Sequence, residues 1–106
     1  MDFQKKLVEA IAANCFEWRK HALQRLAMRG IPQTVVLKVL SLGEIIEHYP
    51  DDTPYPSALF LGRIEGKPLH VVAALDRQNN WAYIITAYEP DLNHVELGHK
   101  ERRKKP

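Results

Sequence analysis

After Gly43 the apolar residues change their period, and this change limits the folds open to the chain. Before it they recur every three to four positions, as on one side of a helix. After it they alternate, as on a strand. Phe3, Leu7, Val8 and Ile11 mark a first helix over about residues 2–13. A second helix is expected from about Glu17 to Met28, with Ala22, Leu23, Leu26 and Ala27 as its apolar stripe and Gly30 as its stop. Pro32 opens a third, over about residues 33–41, in which Val35, Val36, Val39 and Leu40 are apolar.

Strands are expected near residues 44–49, 58–65, 69–76 and 81–88. Pro50, Pro54 and Pro56 keep the first connection out of any ladder. Glu65-Gly66-Lys67 reads as a hairpin turn. On the third strand Leu69, Val71, Ala73 and Leu75 share one face, and His70, Val72, Ala74 and Asp76 the other. Strict alternation on the last strand puts Ala82, Ile84, Thr86 and Tyr88 on one side, and Trp81, Tyr83, Ile85 and Ala87 on the other. Helices followed by a meander give an α+β fold, with N-terminal helices packed on a mainly antiparallel four-stranded sheet. The uncovered face is then free to stay wet and act as a groove. The domain is expected over residues 1–90, with a loop and a basic tail over residues 91–106.

A chain of 106 residues suits one domain with a modest core. Its net charge is only +2, but the charge is unevenly placed. Residues 1–43 carry seven basic and three acidic groups, whereas residues 44–99 carry three basic and nine acidic ones. The tail is basic again, with Lys100, Arg102, Arg103, Lys104 and Lys105. The helices and the tail are therefore the parts suited to a polyanion. Cys15, the single cysteine, has no partner for a disulfide or a structural zinc site. No run approaches the 18 or so apolar residues of a membrane span, so a cytoplasmic protein with no membrane contact is expected. Asp51-Asp52 reads as an exposed turn, and His94 and His99 flank Glu96 without zinc spacing. There is no Gly-rich phosphate loop or dinucleotide fingerprint, so neither metal nor cofactor is expected.

The polar residues that could carry chemistry are few. His21, Arg25 and Arg29 stand at i, i+4 and i+8 on the second helix, one above another, with Lys20 beside them. An imidazole under two guanidiniums can hold a phosphate and move a proton. An ordinary solvated helix face, with Arg25 paired to Glu17 or Glu44, is the plainer reading. His70 lies between apolar neighbours in a strand, where a core histidine bonded to backbone is the default. Tyr88, on a neighbouring late strand, could share its face, stack on a base or merely pack. A histidine, a tyrosine and an arginine around one cleft suffice for metal-free cleavage of RNA by its own 2′-hydroxyl.

Several segments resemble, in order and spacing, a small bacterial family of domains of unknown function, number 4258. They are His21-Ala22-Leu23-Gln24-Arg25-Leu26, Arg29-Gly30-Ile31, Glu47-His48-Tyr49-Pro50-Asp51-Asp52, Gly66-Lys67-Pro68-Leu69-His70-Val71-Val72 and Ile85-Thr86-Ala87-Tyr88-Glu89-Pro90. The resemblance covers about residues 16 to 91. That family is similar in outline to the RelE/ParE and BrnT toxins of bacterial toxin–antitoxin systems, many of which cleave messenger RNA. The resemblance implies a metal-independent endoribonuclease with His21, Arg25, His70 and Tyr88 as its catalytic set. Lys20, Arg29, Arg102 and Arg103 would contact the nucleic acid, and an antitoxin would be the protein partner. The alternative is a non-enzymatic domain that binds a partner protein, for instance by pairing a strand with a sheet edge. A DNA-binding helix-turn-helix is a weaker third, since the turn carries Pro32 rather than base-reading groups.

Overall fold

A computed structural model of the chain describes residues 2–90. Within them the order is α1 (Asp2–Ala12), β1 (Phe16–Trp18), α2 (Lys20–Arg29), α3 (Gln33–Leu42), β2 (Glu44–Tyr49), β3 (Ser57–Ile64), β4 (Lys67–Asp76) and β5 (Trp81–Tyr88). The strands form one sheet in the order β1-β5-β4-β3-β2. Successive pairs from β2 to β5 are antiparallel, and β1 runs parallel to β5. The fold is therefore α+β, and its sheet is mainly antiparallel as expected, but it has five strands rather than four and is mixed because β1 is parallel to its neighbour.

The extra strand, Phe16–Trp18, takes in Glu17 and Trp18 from the start of the expected second helix. Phe16, Glu17 and Trp18 alternate aromatic with charged, and they align with Ala82, Tyr83 and Ile84. The Ala82 N–H donates to the Cys15 carbonyl at 3.0 Å and the Arg19 N–H to the Ile84 carbonyl at 2.9 Å. Phe16 and Trp18 pack against the core. The second helix consequently begins at Lys20 rather than Glu17. It ends at Gly30, whose φ of 65° lies in the left-handed region that favours glycine, and whose N–H donates to the Leu26 carbonyl.

The helices cover one face of the sheet. Phe3, Leu7 and Ala10 of α1, Ala22 and Leu26 of α2, and Val36, Val39 and Leu40 of α3 form one buried cluster with Phe60, Leu69, Val71, Ala73, Leu75, Ala82, Ile84 and Ala87. Gly62 marks the closest approach of α3: a β-carbon there would stand 2.5 Å from the Val39 side chain. The Gln4 amide donates to the carbonyls of Leu40 at 2.9 Å and Gly43 at 3.0 Å, tying α1 to the end of α3. On α2 the buried stripe is narrower than expected. Leu23 is 40% exposed and Ala27 is exposed, while Arg25 is half-buried. The helix is thus turned so that Arg25 is more covered than Leu23 or Ala27.

Two bulges alter the alternation. Val72 lies opposite Thr86 and Ala73 opposite Ile84, so Ile85 is an extra residue in β5. Ile46 is likewise extra in β2, between Ile45 and Glu47. The bulge at Ile85 reverses the faces of the residues after it. Ala87 joins Ala82 and Ile84 in the core, and Thr86 and Tyr88 move to the face of Tyr83. Strict alternation assigns Thr86 and Tyr88 to the opposite side.

The face away from the helices is also better covered than a wet groove would be. Leu59, Leu61, His70, Val72 and Ala74 are all buried on it. Part of the cover is the connection between β2 and β3. Tyr55 stacks on Tyr83 with ring centroids 5.2 Å apart and planes within 3°. Ser57 donates its hydroxyl hydrogen bond to Asp52 at 2.5 Å, and the Leu75 N–H donates to the Pro56 carbonyl at 3.0 Å. Among the described residues no helix is long and apolar enough to cross a membrane.

Candidate functional site

Residues opposite one another on neighbouring strands share a face, so the ladder sets out the side chains on the far side of the sheet in rows. One row runs Glu44, Leu61, His70, Tyr88 across β2 to β5. The next runs Glu47, Leu59, Val72, Thr86, and the one after it Tyr49, Ser57, Ala74, Tyr83, with Glu17 of β1 beyond. On β2 the Tyr49 hydroxyl donates to Glu47.

His70 and Tyr88 are brought together. The His70 Nδ1 lies 3.3 Å from the Tyr88 hydroxyl oxygen, and the rings meet edge to face with centroids 5.3 Å apart. With the proton on Nε2, the phenol donates to Nδ1. His70 is 1% exposed, whereas Tyr88 is half-buried. Burial leaves His70 no direct reach to a large substrate. Anything it does to one passes through Tyr88.

The other expected site residues lie on α2. His21 is exposed near its start, Arg25 is half-buried one turn on, and Arg29 is exposed in the last turn. Lys20 is exposed at the first position. The first turn of α2 has no acidic residue, and Arg29 suits the negative end of the helix dipole. The buried side of α2 packs on β5. Among the described residues, no hydrogen bond or ion pair joins His21 or Arg25 to the His70–Tyr88 pair, and neither Glu17 nor Glu44 pairs with Arg25. Arg102 and Arg103 lie outside the described residues.

A second cluster on the same sheet face has no counterpart in the sequence reading. The Arg19 guanidinium carbon stands 4.7 Å from the centre of the Tyr83 ring that Tyr55 stacks upon. Arg19 also pairs with Glu17 at 3.7 Å. Burial, then the Tyr55 hydroxyl and the nearby negative groups, raise the Tyr83 phenol above its ordinary pKa. Asp76 anchors the turn beside it. The Asn79 amide donates to its carboxylate at 2.8 Å, and the Gln78 and Asn79 N–H groups donate at 3.1 and 3.3 Å. Led by the Asn79 side chain, these bonds hold Asp76 below the ordinary carboxylate pKa, against the opposing effect of burial. With Tyr83 already engaged by Tyr55 and Arg19, this cluster serves to fasten the 50–56 connection to the sheet.

Thr86 also escapes a reading of the sequence. Its Oγ1 is buried without a hydrogen-bond partner, as is Nε2 of His48. His48 faces the helices, with Phe3 against its ring, while Thr86 faces the side of His70 and Tyr88. The only sequence signal for Thr86 is its place two residues before Tyr88. Among the described residues, no group of three His, Cys, Asp or Glu side chains is placed to hold a metal ion.

Fold and site together define a small α+β domain in which a buried histidine contacts a half-buried tyrosine on the sheet face away from the helices. The chain belongs to the family described as Domain of unknown function (DUF4258), whose model matches residues 18–89. That span begins at the end of β1 and closes just after Tyr88. No curated protein and no solved structure matches the chain.

Proposed function

We propose that this domain is a metal-independent endoribonuclease of the toxin–antitoxin type, with kinship to the RelE/ParE- and BrnT-like toxins as part of the proposal. The observation that carries the reading is the contact between His70 and Tyr88, which links a half-buried phenol to a buried imidazole. In the reaction the 2′-oxygen of a ribose bonds to the adjacent phosphorus and the bond from phosphorus to the 5′-oxygen breaks. The products are a 2′,3′-cyclic phosphate and a free 5′-hydroxyl. A base takes the proton of the 2′-hydroxyl, and an acid gives one to the leaving oxygen. Tyr88 is the group that meets the substrate, and His70 behind it sets where the phenolic proton lies. His21 and Arg25 lie on α2, across the sheet from Tyr88, and this reading gives them contacts to the polyanion rather than a part in the step at Tyr88. Lys20 and Arg29 extend the cationic side of α2 toward a polyanion. An antitoxin is the protein partner that this reading implies.

The test is incubation of the pure protein with structured and unstructured RNA in EDTA, with and without ribosomes. The reading expects cleavage that survives EDTA and stops on 2′-deoxy substitution at the cut site. DNA cut as fast as RNA, or no cut in any RNA, would sink it.

One observation favours the alternative of a non-enzymatic protein-binding domain. An apolar hollow of about 350 Å³ opens where α2 meets α3, lined by Leu23, Leu26, Ala27, Ile31 and Pro32. Met28, on the same helix, is 77% exposed. If that reading holds, substitutions at Leu23 or Ala27 change partner affinity and leave no catalytic defect to measure.

A further inference from the structure

We infer that the hollow between α2 and α3 is a docking groove for an acidic amphipathic helix of a partner protein. The apolar side of that helix lies against Leu23 and Ala27, and its carboxylates meet the cations of α2. This rests on the protein-binding role that the hollow favours and gives the partner a chemistry. It is independent of RNA cleavage, because the hollow lies in the helical layer and Tyr88 on the opposite face of the sheet.

The lining says what kind of group enters. Among the described residues, Gln33 is the one polar side chain in it. Sites for small molecules carry several converging polar groups that fix orientation. This hollow suits apolar side chains instead, and Leu23 and Ala27 are exposed beside it. A sheet edge offers a row of unpaired backbone groups to an added strand, but the meeting of two helices does not. A third helix can lay a stripe of side chains at i, i+3, i+4 and i+7 into such a groove.

Charge then says which helix. Neither α2 nor α3 contains an acidic residue, whereas α2 holds Lys20, Arg25 and Arg29, and α3 holds Lys38. Lys20 stands three residues before Leu23 and Arg29 three after Leu26, so each neighbours a lining side chain on the helix surface. Both cations are exposed. The start of α3 adds to them. Pro32 and Gln33 line the hollow, no side chain caps α3 there, and its first turn has no acidic residue. The positive end of the α3 dipole is thus left for a carboxylate from outside. The same charges disfavour other occupants. A second copy docked helix to helix would set these cations against their own kind. The chain's own tail, with Lys100, Arg102, Arg103, Lys104 and Lys105, would be repelled likewise. RNA suits the cations, but its phosphate backbone brings no stripe of apolar side chains to the hollow.

The experiment selects, on the wild-type full chain, from a displayed library of random peptides of about 16 residues, enough for some four helical turns. Peptides that also bind Ala27→Gln are rejected. This variant obstructs the hollow with a longer side chain and adds no charge. Ala27 is exposed, so the melting temperature should stay that of wild type. Leu23→Gln is a second variant that should act alike. The selected sequences should be acidic, with apolar residues at i, i+3 or i+4, and i+7. As synthetic peptides they should lose roughly 10-fold or more in affinity on either groove variant, the scale of a residue that matters at an interface. Lys20→Gln or Arg29→Gln should cost roughly 1.5–5-fold, the scale of an exposed ion pair. Basic or uncharged selected sequences, or affinities unmoved by both cation variants, would overturn the acidic partner. Peptides that bind wild type and both groove variants equally sit elsewhere, which overturns the inference and leaves a protein-binding role standing. No selected peptide at all removes both. Self-association in sedimentation that Ala27→Gln abolishes would assign the hollow to a second copy. An RNA oligonucleotide that loses as much affinity on Ala27→Gln as the peptides do would assign it to nucleic acid. Either result overturns the inference.

Discussion

Phe3, in the first turn of α1, packs on His48 of the outermost strand β2, with ring centroids 5.0 Å apart and planes tilted by 57°. The contact fixes the start of the chain on a strand that closes one end of the sheet. Phe3 is completely buried. Phe3→Ala should cost about 3–5 kcal/mol in denaturant melts, through lost burial and the cavity left behind. His48→Phe keeps the ring and removes the unpartnered Nε2, so it should be neutral or stabilising. A large loss for His48→Phe would show that Nε2 has a partner in solution.

The side of α2 that meets the sheet can be checked with one pair of substitutions. Leu26→Ala removes a buried side chain and should cost roughly 2–5 kcal/mol. Gln24 is exposed, and Gln24→Ala should cost under about 0.5 kcal/mol. Similar losses in urea melts would mean that α2 faces the sheet differently.

Acid should act on the turn between β4 and β5. Hydrogen bonds led by that from Asn79 hold Asp76 below the ordinary carboxylate range. Its contribution to stability is therefore complete above the ordinary carboxylate pKa and is lost as pH falls through the lower folded value. Asp76→Asn should flatten the acid limb of the stability curve while leaving its alkaline limb in place. Unchanged acid dependence would mean that Asp76 keeps an ordinary pKa.

Alkali should act on the stacked tyrosines. Burial raises the Tyr83 phenol, so its contribution is complete below the ordinary phenol pKa and is lost as pH rises through the folded value. Tyr83→Phe should blunt the alkaline loss while keeping the stack on Tyr55. Spectrophotometric titration should show one phenol in wild type that ionises late and is missing from the variant.

For the proposed reaction, Tyr88→Phe should slow cleavage by roughly 10²–10⁴-fold if the phenol supplies a main proton-transfer role, whereas His21→Ala and Arg25→Ala, across the sheet, should weaken RNA binding. Circular dichroism should stay native in all three. A full rate in Tyr88→Phe would remove the phenol from the chemistry.

The helices and the long strands are legible in the sequence because each repeats its period several times. Leu69, Val71, Ala73 and Leu75, for example, alternate over most of β4 and all reach the core. β1 is not legible. Phe16–Trp18 is too short to set a period, and its pairing with β5 depends on residues far along the chain. The α2 stripe is misplaced by periodicity because Arg25 and Leu23 flank the same core, and only the sheet decides which one turns inward. His21, Arg25, His70 and Tyr88 stand out by residue type, and of these only His70 and Tyr88 make contact. Thr86 is lost with the bulge, since counting alternate positions gives it the wrong face.

The extra residue in β5 also makes the site a matter of parity. A strand carries a phase, and Ile85 advances it by one between Ile84, which serves the core, and Tyr88, which faces His70. Substitution at any one position leaves that count intact. Deletion of Ile85 removes the bulge and leaves Ile84 and Tyr88 three residues apart, a spacing that regular alternation already places on opposite faces. The four-residue spacing therefore keeps the phenol beside His70 only while the bulge forms, and loss of the extra residue is the one change of length that leaves both faces as they are.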